Sequence, residues 1–266
     1  MERTLPGLAL AGGWLLLLLL GPFSLFFAVI ILVASIGAME YVKMCGCDGQ
    51  GFLQRLLICG IFVLPVLAAG LWGGPGMHTG LFASFFLLSV YILYNFQFTP
   101  NSFEVFSRNA LGLFYIGFLI SHLVLIWKLP EGASWLVVLS SITAGSDSGA
   151  YYCGRVFGRT KLCPNISPKK TIEGVVGGVA AGVTLAVFFA SILLTSVNWL
   201  FLVLAAVLLV GVGIVGDLTE SVMKRGTGTK DSGSILAGHG GILDRMDSIL
   251  FAGPFLYYLL VLAGGQ

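Results

Sequence analysis

Residues 217–247 read DLTESVMKRGTGTKDSGSILAGHGGILDRMD. This polar stretch decides the fold because it separates two apolar runs, residues 200–216 and 248–264, which contain no charged residue. The chain has 14 basic and 12 acidic residues. Many of them fall within this stretch: Asp217, Glu220, Lys224, Arg225, Lys230, Asp231, Asp244, Arg245 and Asp247. A charge inside the bilayer costs roughly 2.5–3.5 kcal/mol on insertion scales. A dense polar stretch between two apolar runs therefore predicts a functional site for an anion and a metal at the membrane surface.

The composition is that of a membrane protein. Hydrophobic residues make up 57% of the chain, charged residues 10%, and the mean hydropathy is +0.98, whereas a soluble domain is about 25% charged. We predict an all-α, polytopic integral membrane protein that forms a single membrane domain over residues 1–266, with about nine transmembrane helices. The predicted spans are 5–20, 23–42, 53–73, 79–96, 108–128, 133–150, 174–195, 198–216 and 248–264.

The orientation follows from the basic residues, which concentrate in cytoplasmic loops. Placing residues 217–247 in the cytoplasm puts every lysine and arginine except Lys128 on the inner side. The other long polar link, residues 146–173, then also faces the cytoplasm. We therefore predict scaffold spans in residues 1–140, catalytic spans and loops in residues 141–266, and a cytoplasmic-facing polar site in a bacterial-type inner or plasma membrane. A net charge of +2 is too small to indicate a nucleic-acid partner.

Three carboxylates stand at predicted helix ends. Asp217 follows the eighth span, and Asp244 and Asp247 are three residues apart, on one face of a helix that begins near Leu243. Mg²⁺ is usually held by one or two carboxylates together with substrate phosphates, so these side chains predict a divalent-cation site. The alternative is that they form structural ion pairs with nearby arginines.

Phosphate-binding groups accompany the carboxylates. Lys224, Arg225, Lys230 and His239 are interspersed with glycines, which allow backbone N–H groups to turn toward an anion. A second set of polar residues precedes the seventh span: Asp147, Arg155, Lys169 and Lys170. The two lysines come just before a predicted helix start, where a phosphate could be held. The alternatives are a flank that only sets topology and a basic patch that touches anionic lipid.

Two glycine patterns predict helix packing. Gly178-x-x-x-Gly182 is typical of closely packed membrane helices. Gly211-x-Gly213-x-x-Gly216 matches the dinucleotide-binding fingerprint by letter, but it lies inside an apolar span and lacks a strand–turn–helix context. We therefore reject a dinucleotide site there.

The motif from Ser221 to Asp247, S-x-x-K-R-x-x-x-x-K-D-x-G-x-x-L-x-G-H-G-G-x-x-D-R-x-D, resembles the signature of the phosphatidate cytidylyltransferases, also called CDP-diacylglycerol synthases. The segments D-x-G-A-Y at 147–151 and S-P-K-K-T-x-E-G at 167–174 are similar to that family as well. One departure is Ala237, where the family usually has proline, and it affects the local backbone path. The resemblance implies transfer of the cytidylyl group of CTP to phosphatidate at the inner leaflet, giving CDP-diacylglycerol and pyrophosphate.

The resemblance also implies roles for individual residues. Asp217 and Asp244 are expected to hold Mg²⁺, with Asp247 supporting it or holding a second cation. Nucleotide phosphates and pyrophosphate are expected to bind Lys224, Arg225, Lys230 and His239. Further substrate-binding positions are Lys169, Lys170, Asp147, Arg155, Ser221, Asp231 and Arg245. The expected partners are CTP, phosphatidate and membrane lipid, and the chain could form a homodimer.

Two other functions use similar groups. A CTP-dependent lipid kinase of the polyprenol type would bind the same nucleotide but release CDP instead of pyrophosphate. An anion transporter would move a water-soluble anion without consuming CTP, and its basic residues should continue across the bilayer. The outer half of this chain is nearly uncharged, which argues against transport.

Overall fold

The computed structural model describes residues 4–45, 51–99, 101–233 and 240–264. Helices dominate these residues: α1 (Thr4–Leu20), α2 (Phe23–Met44), α3 (Phe52–Tyr94), α4 (Ser102–Gly112), α5 (Leu119–Trp127), α6 (Gly132–Phe157), α7 (Ile172–Leu193), α8 (Trp199–Gly226) and α9 (Leu243–Gly264). A 3₁₀ turn (Phe96–Phe98) follows α3, and a π-helical segment (Leu113–Phe118) joins α4 to α5. Between α6 and α7 lies a short antiparallel hairpin of β1 (Lys161–Cys163) and β2 (Ser167–Thr171), in a segment predicted as a polar link.

Helix α3 is a helical hairpin. Its backbone leaves the helical conformation at Gly73, where φ is 69° and ψ is −146°. A methyl group added at Gly80 would lie 2.9 Å from the Cα atom of Pro65 and 2.8 Å from the Cβ atom of Ala68. Residues fifteen apart in a straight helix are about 22 Å apart, so the second half of α3 folds back on the first. Two predicted spans, 53–73 and 79–96, thus correspond to the two halves of α3.

Six helical segments of the described residues are long and apolar enough to cross a membrane. They are Phe23–Met44, Phe52–Tyr94, Ser102–Trp127, Ile172–Leu193, Trp199–Gly226 and Leu243–Gly264. The predicted helical membrane protein is therefore confirmed, apart from the hairpin. The predicted number of about nine crossings stays a prediction, because length and composition alone do not show where a bilayer lies.

Several helices continue beyond the predicted spans. Helix α6 runs to Phe157 instead of 150, and α8 runs to Gly226 instead of 216. Helix α9 begins at Leu243 instead of 248. Hydropathy marks the edge of the apolar zone, whereas lysine, arginine, glutamate and methionine are good helix formers that extend α8 and α9 past that edge. Charged residues predicted in loops are consequently fixed on rigid helical turns.

Glycines bring α6 and α7 into close contact. A methyl group at Gly178 would lie 2.9 Å from the Ser146 carbonyl oxygen, and one at Gly182 would lie 3.1 Å from that of Ile142. The prediction that these two glycines serve close helix packing is therefore confirmed. The contact holds α6, which carries Asp147, against α7.

Glycines also bring α8 and α9 together. Gly213 and Gly216 are buried within α8. A methyl group at Gly213 would lie 3.4 Å from the Cβ atom of Ser248, and one at Gly216 would lie 2.5 Å from the Asp247 carbonyl oxygen. Two of the three glycines in the rejected dinucleotide fingerprint, Gly213 and Gly216, are thus helix-packing residues. They set the two charge-bearing helices side by side.

Helix α5 fixes the other side of α9. The His122 ring is fully buried, and its Nδ1 atom lies 2.8 Å from the Phe118 carbonyl oxygen. The ring packs against Tyr257 and Tyr258 of α9, with centroid distances of 5.5 and 5.4 Å. His122 is therefore a packing residue, and α9 is held between α5 and α8.

The α8–α9 contact can be tested with two glycines of the same helix. We expect Gly216→Ala to destabilise the protein by about 1–3 kcal/mol, because the added methyl group overlaps the α9 backbone. Gly211 has nothing within 4 Å of an added methyl group, so Gly211→Ala should be neutral or stabilise by up to about 1 kcal/mol. The measurement is the free energy of unfolding in mixed micelles. Equal effects of the two substitutions would contradict the close crossing.

Candidate active site

The site lies where the ends of α8 and α9 meet the β-hairpin. The two helices run antiparallel, because Gly213 lies beside Ser248 and Gly216 beside Asp247. This arrangement places Asp217 next to Asp247. Two turns further along α8, the Lys224 ammonium group contacts the Asp244 carboxylate of α9. The predicted carboxylates are therefore brought to one end of one helix pair.

Asp217, Asp147 and Asp247 form the first part of the site, called here the carboxylate cluster. Lys170 Nζ donates to Asp217 Oδ2 at 2.6 Å, and Ser221 Oγ donates to Asp217 Oδ1 at 3.4 Å. Asp147 of α6 and Asp247 of α9 are within electrostatic range of Asp217. Carboxylates so placed repel each other and favour a nearby cation. Lys170 supplies one such cation in this structure.

The hairpin positions Lys170. Thr171, the last residue of β2, caps α7 by accepting a hydrogen bond from the Gly174 amide at 3.1 Å. The Glu173 carboxylate accepts from the amides of Arg159 and Thr160 at 3.1 Å each, which ties the hairpin to α7. Side chains alternate along a strand, so Lys169 faces away from Lys170. Lys169 is exposed, and its predicted phosphate contact stays a prediction.

Asp244 has both carboxylate oxygens engaged. Lys224 Nζ donates to Oδ1 at 2.6 Å. The Ser232 amide, the Ser232 hydroxyl and the Gly241 amide donate to Oδ2 at 3.0, 2.9 and 2.8 Å. The Gly241 amide lies just before α9, so Asp244 ties the preceding loop to the first turn of the helix. Its contacts in this structure are with Lys224 and the loop rather than with Asp217.

The carboxylate cluster offers the oxygen ligands that Mg²⁺ prefers. Within residues 4–45, 51–99, 101–233 and 240–264, no three His, Cys, Asp or Glu side chains form a ready-made metal cage. Mg²⁺ does not require such a cage, because substrate phosphates and water complete its six oxygen ligands. Asp217 and Asp247 meet this requirement more readily than Asp244, whose oxygens are occupied. The predicted metal roles of Asp217, Asp244 and Asp247 stay predictions.

Glu220 is a site residue to which the sequence analysis gave no role. Its side chain is fully buried, and Lys224 Nζ lies 3.2 Å from its Oε1 atom. Lys224 thus pairs with two carboxylates, Glu220 and Asp244. The spacing from Glu220 to Lys224, four residues apart, is a signal for a helical ion pair. It would have revealed the contact had α8 been extended to Gly226.

Glu40 of α2 reaches the site from the part of the chain predicted as scaffold. Its side chain is buried, with the residue only 3% exposed. The Ile242 amide donates to Oε1 at 3.0 Å, and the Leu243 amide donates to Oε2 at 3.1 Å. Glu40 lies inside the predicted span 23–42. An acidic residue within a span is itself a functional signal that could have identified Glu40 from the sequence.

Tyr115 is a further residue that the sequence analysis missed. It lies in the π-helical segment, is 2% exposed, and its hydroxyl has no hydrogen-bond partner within the described part of the chain. The hydroxyl is in electrostatic range of four carboxylates: Asp217, Glu220, Asp244 and Asp247. π-helical segments occur frequently at functional sites. Tyr115 therefore belongs to the lining of the site.

The remaining predicted residues lie at the periphery. Several are exposed side chains: Arg155, Arg225, Lys230, Asp231 and Arg245. Arg245 is in electrostatic range of Asp147, and Arg155 Nη1 donates to the Tyr151 hydroxyl at 3.4 Å. His239 and Ala237 lie outside the described residues. The predicted substrate contacts of this group stay predictions.

Comparison with known proteins shows the family to which the chain belongs. The model of the cytidylyltransferase family matches residues 1–263. A phosphatidate cytidylyltransferase of Bacillus subtilis is 36% identical over 268 residues, covering 98% of this chain and 97% of the relative. Those of Synechocystis sp. and Pseudomonas aeruginosa are each 35% identical, covering 96% and 90% of this chain and 94% and 89% of the relatives. The chain belongs to the cytidylyltransferase family and is a nucleotidyltransferase. The expected resemblance is confirmed.

The ion pairs of Lys224 can be tested by removing the cation. We expect Lys224→Met to destabilise the protein by about 3–5 kcal/mol, because it leaves Glu220 and Asp244 without their buried partner. The matched control is Glu104→Gln, which breaks the pair of Arg108 and Glu104, whose side chains are 44% and 54% exposed. That change should cost about 0–1 kcal/mol. Unfolding free energies in mixed micelles provide the measurement, and a Lys224→Met loss as small as the control would contradict the pairing.

Proposed function

We infer that this chain transfers the cytidylyl group of CTP to phosphatidate, releasing pyrophosphate and forming CDP-diacylglycerol. The observation that carries this inference is the position of Lys170 and Lys224 among buried and half-buried carboxylates at the end of an apolar helix pair. Lys170 contacts Asp217, and Lys224 contacts Glu220 and Asp244. Family membership supplies the nucleotide chemistry. Three relatives that are phosphatidate cytidylyltransferases and match at least 90% of the chain supply the lipid substrate.

The reaction requires little proton transfer from the protein. A phosphate oxygen of phosphatidate forms a bond to the α-phosphorus of CTP, and the bond from that phosphorus to the bridging oxygen of pyrophosphate breaks. The attacking oxygen is already anionic, so no strong general base is needed. The obstacle is repulsion between two phosphate groups, and positioning together with cationic charge offsets it. Lys170 and Lys224 supply that charge from rigid elements.

We propose that Asp217 and Asp247 hold Mg²⁺, with Asp147 beside them. When bound, the ion would neutralise phosphate charge and align the attacking and leaving oxygens. Asp244 contributes by holding Lys224, which it contacts at 2.6 Å. Asp244 was predicted as a direct metal ligand. The four hydrogen bonds that Asp244 accepts support a role in orienting Lys224 instead.

We propose that the site faces the cytoplasm at the inner leaflet. Two facts support this orientation: the concentration of basic residues at the site end of the helices, and the apolar character of the opposite end. A site at the edge of the apolar zone suits a reaction in which one substrate is a lipid and the other is dissolved in water.

The reaction and its metal can be tested together with labelled CTP and phosphatidate in purified protein. We expect pyrophosphate and a cytidylylated lipid to form only with Mg²⁺. Asp217→Asn and Asp247→Asn should each lower the rate by about 100-fold or more, beyond the 10- to 100-fold expected for removing a hydrogen-bond partner of a ligand. Glu104→Gln, at a side chain that is 54% exposed, should retain the wild-type rate. Release of CDP instead of pyrophosphate would identify a lipid kinase, and full activity of both asparagine variants would rule out the proposed ligands.

The orientation can be tested by labelling single cysteines in intact cells. The predicted span 133–150 lies within α6, which has 26 residues and is about 39 Å long. The proposed orientation therefore places Glu131, before α6, outside the cell and Lys161, after it, inside. In a chain whose five native cysteines are replaced by serine, a membrane-impermeant thiol reagent should label Glu131→Cys and spare Lys161→Cys. Opening the cells should expose the second position. The reverse pattern would place the site on the outer face.

A further inference from the structure

Glu40 occupies an unusual position for an acidic residue. It lies near the end of a largely apolar helix and is only 3% exposed. A buried carboxylate is costly unless its oxygens are hydrogen-bonded. Glu40 meets this condition with donors from a segment about two hundred positions later in the chain, because its bond to Ile242 spans 202 residues. The contact therefore joins the two ends of the fold.

The donors are the backbone amides at the start of α9. The Ile242 amide donates to one oxygen of Glu40 and the Leu243 amide to the other, at 3.0 and 3.1 Å. Both amides belong to the unsatisfied set at a helix N-terminus, where a negative charge is also favourable. Two acceptors facing two donors fix the direction in which α9 begins.

Ser232 links Glu40 to Asp244. The Ser232 hydroxyl lies 3.4 Å from Glu40 Oε2 and 2.9 Å from Asp244 Oδ2. Glycines pack closely around the Glu40 carboxylate, because a methyl group added at Gly233 or Gly241 would overlap it. Glu40 thus holds both sides of the loop that precedes α9.

We propose that Glu40 is a positioning residue for the transfer reaction, acting through α9 and Ser232 on Asp244 and Lys224. This inference rests on the proposed function, since Asp244 and Lys224 belong to the site proposed above. Displacement of α9 by a fraction of an ångström would move Asp244 relative to Lys224, and small misplacements of catalytic groups have large effects on rate. Glu40 need not touch either substrate for this effect.

The main test is Glu40→Gln, which keeps the size of the side chain but replaces one acceptor oxygen by an NH₂ donor. One of the two amides then faces a donor. We expect kcat to fall by about 10- to 100-fold with little change in the KM for phosphatidate. We also expect faster hydrogen–deuterium exchange in residues 240–247, with exchange in residues 199–216 unchanged. Glu104→Gln, an exposed glutamate, is the matched control and should change neither quantity.

A double-mutant cycle with Ser232→Ala makes the test specific. If Glu40 acts through Ser232, the two substitutions should be non-additive in kcat, whereas Glu104→Gln and Ser232→Ala should be additive. Folded Glu40→Gln protein with wild-type kcat and unchanged exchange would overturn the proposal. If Glu40→Gln does not fold, Ser232→Ala alone decides, because wild-type kcat in that variant would overturn the proposal too. Failure of the wild-type protein to form CDP-diacylglycerol would instead overturn the proposed function. The hydrogen–deuterium exchange of Glu40→Gln would still test the contact between Glu40 and α9, because it does not depend on the reaction.

Discussion

Lys224 is shared by two carboxylates, Asp244 at 2.6 Å and Glu220 at 3.2 Å, and the arrangement of the site depends on this sharing. The Glu220 side chain is fully buried and that of Asp244 is 12% exposed, so neither charge could be kept there without a partner. The ammonium group lies on α8 and Asp244 on α9. The pair therefore sets the angle and depth at which the two helices end.

The close contact of α8 and α9 makes the ion pair geometrically attainable. Gly213 and Gly216 remove side-chain volume where the helices cross, as small residues do in membrane proteins, where packing replaces the hydrophobic effect as the force between helices. Glu40 then fixes the beginning of α9 from the opposite side. Helix packing, the ion pair and the cap thus all act on the same few residues of α8 and α9. Together they fix how the two helix ends lie against each other.

Much of the fold could be predicted because the thickness of the hydrocarbon core limits the length of an apolar run. Each predicted span corresponds to a helix or a half-helix, except 108–128, which covers the end of α4, the π-helical segment and α5. The break at Gly73 divides α3 between the predicted spans 53–73 and 79–96. The ends of α6, α8 and α9 could not be predicted, since hydropathy reports depth in the membrane and not helicity. The β-hairpin was missed because its two strands are only three and five residues long.

The site was only partly predictable, for a reason of a different kind. Charge density identified Asp217, Lys224, Asp244 and Asp247 because they lie close together in sequence. Glu40 and Tyr115 come from distant spans, and only tertiary packing brings them to the same place.

The two groups of carboxylates differ in a way that suggests a division of roles. Asp244 is 12% exposed at its side chain and has donors on both oxygens, whereas Asp217 is 31% exposed and has one close cationic partner, Lys170. A saturated carboxylate resists displacement, because leaving its donors unpaired costs about 1–3 kcal/mol for each group. A half-exposed carboxylate with a single lysine can exchange that partner for a metal or release the lysine to a phosphate. Asp244 therefore suits the task of holding Lys224 in place, and the carboxylate cluster around Asp217 suits the binding of ligands that come and go in each catalytic cycle.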